Sequence, residues 1–148
     1  AFILLVQPTT PLLHSGDIDA AFRLFTPDVD AVVSVCRTEV NPDWLRRTDA
    51  HGYLQSIATL DCPQHTPRQQ MPPTWRLNGG IYWVRTAVFC DQATLLPARA
   101  VPYVMPAERS VDIDSEDDLA LAAWRLQRME RATANRRPAP TEAPMDPT

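Results

Sequence analysis

The sequence predicts an α/β protein whose mainly parallel sheet carries helices on its faces. Three observations lead there. Residues 1–6 are a short, unbroken apolar run, the mark of a strand buried on both faces, and the β-branched run 31–36 reads as a second strand. Helical spacing lies between them at Ile18, Ala21, Phe22 and Phe25. Strand, helix and strand together fill about 35 residues, the length of a βαβ unit.

The elements follow in order. A strand with neighbours on both sides is an unusual way for a chain to begin, so the sequence is expected to start inside a domain. Gln7-Pro8-Thr9-Thr10-Pro11 forms a stiff polar turn at that strand's carboxyl end. Ser15-Gly16-Asp17 opens the first helix, and Pro27-Asp28 stops it. Residues 37–75 read as an irregular, proline-rich excursion, with a hairpin-like piece around Tyr53-Leu54-Gln55-Ser56-Ile57. Asn78-Gly79-Gly80 is expected to turn tightly into a strand over 81–85; the plainer alternative for Asn78 is that it only supplies the left-handed turn that Asn-Gly favours. A short helix over 86–92, a strand over 101–105 and an amphipathic helix over 115–131 complete the domain. The last helix places Leu119, Ala122, Ala123, Leu126 and Met129 on one side. Residues 132–148, rich in Ala, Pro and Thr, are expected to be a disordered tail.

Composition narrows the function. The formal net charge is −4 and no basic stripe is present, so no nucleic-acid partner is indicated. The opening apolar run is too short for a signal peptide or a membrane span, which gives no membrane partner and a cytoplasmic expectation. All 14 basic residues are arginine, so any cationic contact is a guanidinium fork and not an ammonium point charge. Cys36, Cys62 and Cys90 are odd in number and far apart, as expected of reduced thiols outside any zinc site or disulfide frame.

The densest chemistry lies in Asp112-Ile113-Asp114-Ser115-Glu116-Asp117-Asp118-Leu119. On an extended segment, residues i and i+2 share a face, so Asp112 and Asp114 point together while Val111 and Ile113 turn inward. Two such carboxylates suit a hard cation such as Mg²⁺, which is commonly completed by substrate phosphates and water. Ser115 is a good N-cap, and the following acids favour the positive end of the helix. The plainer alternative is that all five acids only solvate and cap that helix start.

Three polar groups border strands: Gln7-Pro8-Thr9-Thr10-Pro11-Leu12, Arg68-Gln69-Gln70-Met71-Pro72 with Arg76-Leu77-Asn78-Gly79-Gly80-Ile81-Tyr82, and Ser110-Val111-Asp112-Ile113-Asp114 with Asp118-Leu119. In this order and spacing they resemble the acylneuraminate cytidylyltransferase family. The resemblance implies a three-layer α/β/α sandwich of the nucleotide-diphospho-sugar transferase type, of which the chain would cover the carboxyl-terminal two-thirds, residues 1–131. It implies transfer of CMP from CTP to a nonulosonic acid sugar with release of pyrophosphate. Asp112 and Asp114 match aspartates that hold Mg²⁺, Gln7 a glutamine facing the sugar, and Arg68 an arginine that contacts acidic groups of the substrates. Tyr82 and Asn78 match residues lining the site. The sugar hydroxyl would be activated by the metal or by a neighbouring carboxylate such as Asp114. The excursion would supply a homodimer contact.

The departures from the family pattern bear on activity and on the sugar. The family's glycine-rich, basic loop has no counterpart among Gly16, Gly52, Gly79 and Gly80, so the 148 residues alone are expected to be inactive. Leu13 stands where the family usually has arginine, Trp44 falls near a lysine found in some members, and Leu95-Leu96 stand roughly where some members have aromatic residues. The alternatives are a nucleotidyltransferase for another sugar acid, such as a 3-deoxy-octulosonate, and a non-catalytic sugar-nucleotide binding homologue.

Overall fold

A computed structural model describes residues 1–38, 40, 42–57 and 73–134. Its strands are β1 (Phe2–Leu5), β2 (Ala31–Arg37), β3 (Arg46–Thr48), β4 (Leu54–Ser56), β5 (Trp75–Arg85) and β6 (Ala100–Val104). The helices are α1 (Ser15–Phe22), α2 (Thr86–Gln92) and α3 (Glu116–Ala134). Four strands form one sheet in the order β1-β5-β2-β6, and β3 pairs with β4 in a separate hairpin.

The sheet is mixed, which corrects the mainly parallel expectation. β5 runs antiparallel to both β1 and β2, while β2 and β6 are parallel. The βαβ unit does give two strands of the same direction, but β5 inserts between them. β1 is correspondingly not buried on both faces. Among the described residues it pairs only with β5, and Phe2, Leu5 and Val6 are 36%, 38% and 38% exposed. β6 is the opposite edge, where Pro102 is tolerated because a strand paired on one side needs fewer ladder donors.

Strand alternation sorts the core onto two faces. Val32 and Ile81 pack with Ala21 and Val29, joined by Ile18 and Phe25 from the α1 segment. Ala31, Val33 and Val84 face the other way, against Val88 and Phe89 of α2. A third cluster seats α3, with Ala122 against Leu12 and Val111. Only part of the anticipated α3 face is covered: Ala122 is buried, whereas Leu119 and Leu126 are 51% and 47% exposed. α3 also continues to Ala134, so the expected disordered tail begins in helix, where Arg131 and Ala132 are good helix formers. Residues 135–148 lie outside the described residues. α1 ends sooner than Pro27 requires, because Leu24 and Phe25 bond back to Ala21 and Phe22 and tighten the chain into a turn.

An interior ion pair ties α1 to the far end of the sheet. Asp17, 5% exposed, receives both Arg109 guanidinium nitrogens, the Tyr103 hydroxyl at 2.8 Å and the His14 amide at 2.9 Å. Burial alone raises its pKa, but the hydrogen bonds from Arg109, the His14 amide and Tyr103 outweigh it and hold the carboxyl at about 2, against an ordinary 3.8. A folded-state value below the unfolded one means the contribution is complete above about pH 4 and is lost as pH falls through about 2. We expect this group to supply on the order of 2 kcal/mol of acid-sensitive stability. Urea unfolding between pH 2 and pH 5 should therefore be steeper in pH for the parent than for Asp17→Asn; equal slopes would contradict the assignment.

Candidate functional site

The site grows from an irregularity in β5. Opposite β2 the register steps from Val33↔Tyr82 to Val35↔Leu77, so residues 78–81 bulge out of the ladder. The expected tight turn at Asn78-Gly79-Gly80 is thus a bulge inside one long strand. The positive φ belongs to Gly79, at 73°, and not to Asn78. That backbone is open to glycine and strained for residues with a Cβ.

Asn78 is 1% exposed and holds the bulge in place. Its side-chain oxygen accepts from Ser34 Oγ at 2.6 Å and from the Gly80 amide at 3.2 Å. Its amide nitrogen donates to Ser110 Oγ at 2.9 Å and approaches Met105 Sδ at 3.3 Å. Ser34 Oγ in turn accepts the Ile81 amide at 2.6 Å. With both ends of its amide so engaged, Asn78 joins β2, β5 and the segment before Asp112, and does not present its amide to the sheet's open end.

Above Gly79 two of the predicted residues, Gln7 and Asp112, come together. A Cβ placed there would stand 2.6 Å from Gln7 Oε1, 3.2 Å from Asp112 Oδ2 and 3.4 Å from Thr10 Cγ2. The two polar side chains therefore approach each other over bare backbone. Gln7 is fixed by its own turn, since Thr10 donates both its hydroxyl (2.9 Å) and its amide (3.3 Å) to the Gln7 carbonyl. The Ile113 amide donates to the Thr9 carbonyl at 2.9 Å, which ties the Gln7 loop to the aspartate segment. Tyr82 lies opposite Leu5 across the β1–β5 ladder. Burial, and after it the negative charge of Asp112, push the Tyr82 hydroxyl above its ordinary pKa, so it is a neutral hydrogen-bond donor.

Asp112 is half-buried in an irregular segment outside the sheet and Asp114 is exposed in the bend before α3, with Val111 turned into the core. Both line an open cleft of about 470 Å³. Ser115 and Asp118 form a reciprocal cap at the start of α3: Ser115 Oγ donates to Asp118 Oδ2 at 2.6 Å and accepts the Asp118 amide at 3.3 Å. Asp118 Oδ2 also accepts the Asp114 amide at 3.3 Å, which fixes the backbone of Asp114. Among the described residues no three His, Cys, Asp or Glu side chains gather as a complete ligand set. Two carboxylates lining one cleft would fit magnesium only in its usual mode, completed by substrate phosphate and water. Arg68 lies outside the described residues.

Sequence reasoning missed Ser34 and Ser110, whose roles depend on distant partners, and Thr10, which acts locally on the Gln7 carbonyl. The bulge had a signal, since glycines inside a strand pattern mark a bulge or a close backbone approach.

A polar site at the carboxyl ends of parallel strands in an α/β sheet is the ligand-binding arrangement of that fold class. Comparison with characterised proteins gives a more particular likeness, to cytidylyltransferases of acidic sugars. The chain is 29% identical over 116 residues to the N-acylneuraminate cytidylyltransferase of Streptococcus agalactiae serotype V, covering 78% of this chain and 28% of that protein. The serotype III enzyme matches to the same extent. The CMP-N,N'-diacetyllegionaminic acid synthase of Legionella pneumophila subsp. pneumophila is 27% identical over 120 residues, 80% of this chain and 51% of that protein. The chain thus spans between about a quarter and a half of the curated relatives it matches. No family profile matches it. No described helix is long and apolar enough to cross a membrane.

We expect Gly79→Ala to cost about 1–3 kcal/mol through its positive φ and to displace Gln7. Urea titration and the amide shifts of Gln7, Thr9 and Thr10 test this; a variant with parental stability and unshifted Gln7 would contradict the geometry.

Proposed function

We propose that the chain contributes the sugar-binding and metal-binding part of a cytidylyltransferase that moves CMP from CTP to a nonulosonic acid. The fold assigned with this reading is the three-layer nucleotide-sugar transferase sandwich. The observation that carries it is the approach of Gln7 and Asp112 over Gly79, because these residues come from separate motifs of one resemblance. The names of the relatives support the same chemistry and span two different sugar acids, so the particular sugar is left open.

In this reading Gln7 and Tyr82 supply hydrogen bonds to sugar hydroxyls, with the neutral phenol as donor. Arg68 grips an acidic group of a substrate through its two-pronged guanidinium. Asp112 and Asp114 hold magnesium, which would supply charge stabilisation at the transferred phosphorus and the departing pyrophosphate. Asn78 acts from behind, by keeping the bulge that lets Gln7 and Asp112 meet.

In an enzyme comprising this chain, Asp112→Asn and Asp114→Asn should each lower CMP-sugar formation at least ~100-fold, with the fold retained by circular dichroism. Turnover near the parental rate in the double variant would reject a metal role for the pair, and absence of turnover in the parental enzyme would leave a binding module.

The β3–β4 hairpin is the assigned homodimer contact. Trp44, Tyr53, Leu54 and Ile57 are more than half exposed there, an apolar surface that a partner copy would cover. Sedimentation velocity should show Tyr53→Ser/Leu54→Asp shifting toward monomer; an unchanged dimer, or a parental protein that is monomeric at high concentration, would overturn this assignment.

A further inference from the structure

We propose that the cleft beside Asp112 is an anion-binding subsite whose cationic wall is Arg37, Arg76 and Arg125, and that it takes the phosphate or carboxylate group of a small acidic ligand carrying a divalent cation. The three arginines come from separate elements and line the same space as Asp112, Asp114 and Asp118. The β2–β5 register sets Arg76 opposite Cys36, next to Arg37 at the end of β2, and α3 brings Arg125 to the same cleft.

Two of these guanidinium groups are held by backbone carbonyls and not by carboxylates, as Arg85 is elsewhere in the fold; what sets the cleft's arginines apart is that three of them line one space with three aspartates. Arg76 Nη2 donates to the Ser110 carbonyl at 3.1 Å, and Arg125 Nη1 to the Ala107 carbonyl at 2.6 Å. A carbonyl acceptor aims a guanidinium without neutralising it, and leaves most of its five donors for another partner. Arg99 and Arg109 are instead each paired two-pronged with an aspartate. No ion pair joins the cleft's arginines to its aspartates. Opposite charges that face one cleft without meeting can be bridged by a ligand that is itself an anion chelating a cation. This in a protein of net charge −4 makes the local gathering of arginine more than a general basic surface.

The choice of ligands rests on the proposed transferase reading, in which the nucleotide brings phosphates and the sugar a carboxylate. The subsite itself does not. Isothermal titration of the 148-residue chain at low salt with Mg²⁺ separates the two sources, using inorganic pyrophosphate in one arm and N-acetylneuraminate in the other. At least one probe should bind, and Arg37→Gln and Arg76→Gln should each weaken it at least ~10-fold, with part of the loss recovered in Arg76→Lys. Arg128→Gln, which removes the guanidinium stacked over Trp124 outside the cleft, should leave affinity unchanged. Weakening confined to pyrophosphate identifies the nucleotide's phosphate chain as the occupant, and weakening confined to the sugar acid identifies its carboxylate. Failure of both probes to bind at millimolar concentration, or equal affinity in parent and variants, would overturn the subsite. Binding that persists where cytidylyl transfer is absent would instead remove the transferase reading and keep the subsite.

Discussion

One buried amide organises the functional end of this molecule. Asn78 is almost completely removed from solvent and has donors and acceptors on both sides of its side chain satisfied within the protein. Such a network is strong when complete, and a partner removed from it leaves a buried polar group that costs about 1–3 kcal/mol. Its geometric effect is larger than its energy. By tying Ser34 of β2 to Ser110 across the bulge, it sets the height at which the aspartate segment leaves the sheet.

Two further constraints act at the same end. Gly79 carries no side chain where Gln7 and Asp112 approach, so the backbone itself forms the floor between them. The bond from the Ile113 amide to the Thr9 carbonyl holds the two arms above that floor together. The Asp17–Arg109–Tyr103 cluster fixes the same pair of segments from below: Asp17 caps the loop that follows Gln7, and Arg109 precedes Asp112 by three residues. The polar mouth therefore rests on rigid sheet, while the exposed Asp114 and the cleft arginines face solvent.

Much of this was legible in the chain because it is local. The apolar run at 31–36, the helix over 86–92 and the cap at Ser115 depend on neighbours in sequence, and each lies within a residue or so of its expected place. The hairpin at Tyr53 and Leu54 was also readable from turn chemistry. What was hidden depends on pairing between distant segments. Nothing in residues 75–85 says that they run against β1 and β2 and separate them, and this insertion turns the parallel expectation into a mixed sheet. Asn78 misled for the same reason: Asn-Gly is a turn signal, but here the tertiary partners Ser34 and Ser110 recruit the amide inward. The convergence of Gln7 with Asp112 was expected only through the resemblance, since motifs more than a hundred residues apart carry no distance.

The central claim is that Gln7 and Asp112 meet over Gly79 at a place where a divalent ion is held. Paramagnetic broadening by Mn²⁺ tests it most directly, because the effect falls steeply with distance and reports weak binding. At sub-stoichiometric Mn²⁺, amide signals of Gln7, Thr10, Gly79 and residues 112–114 should broaden first, and Asp112→Asn should abolish the effect. Broadening centred elsewhere, or unchanged in that variant, would contradict the account.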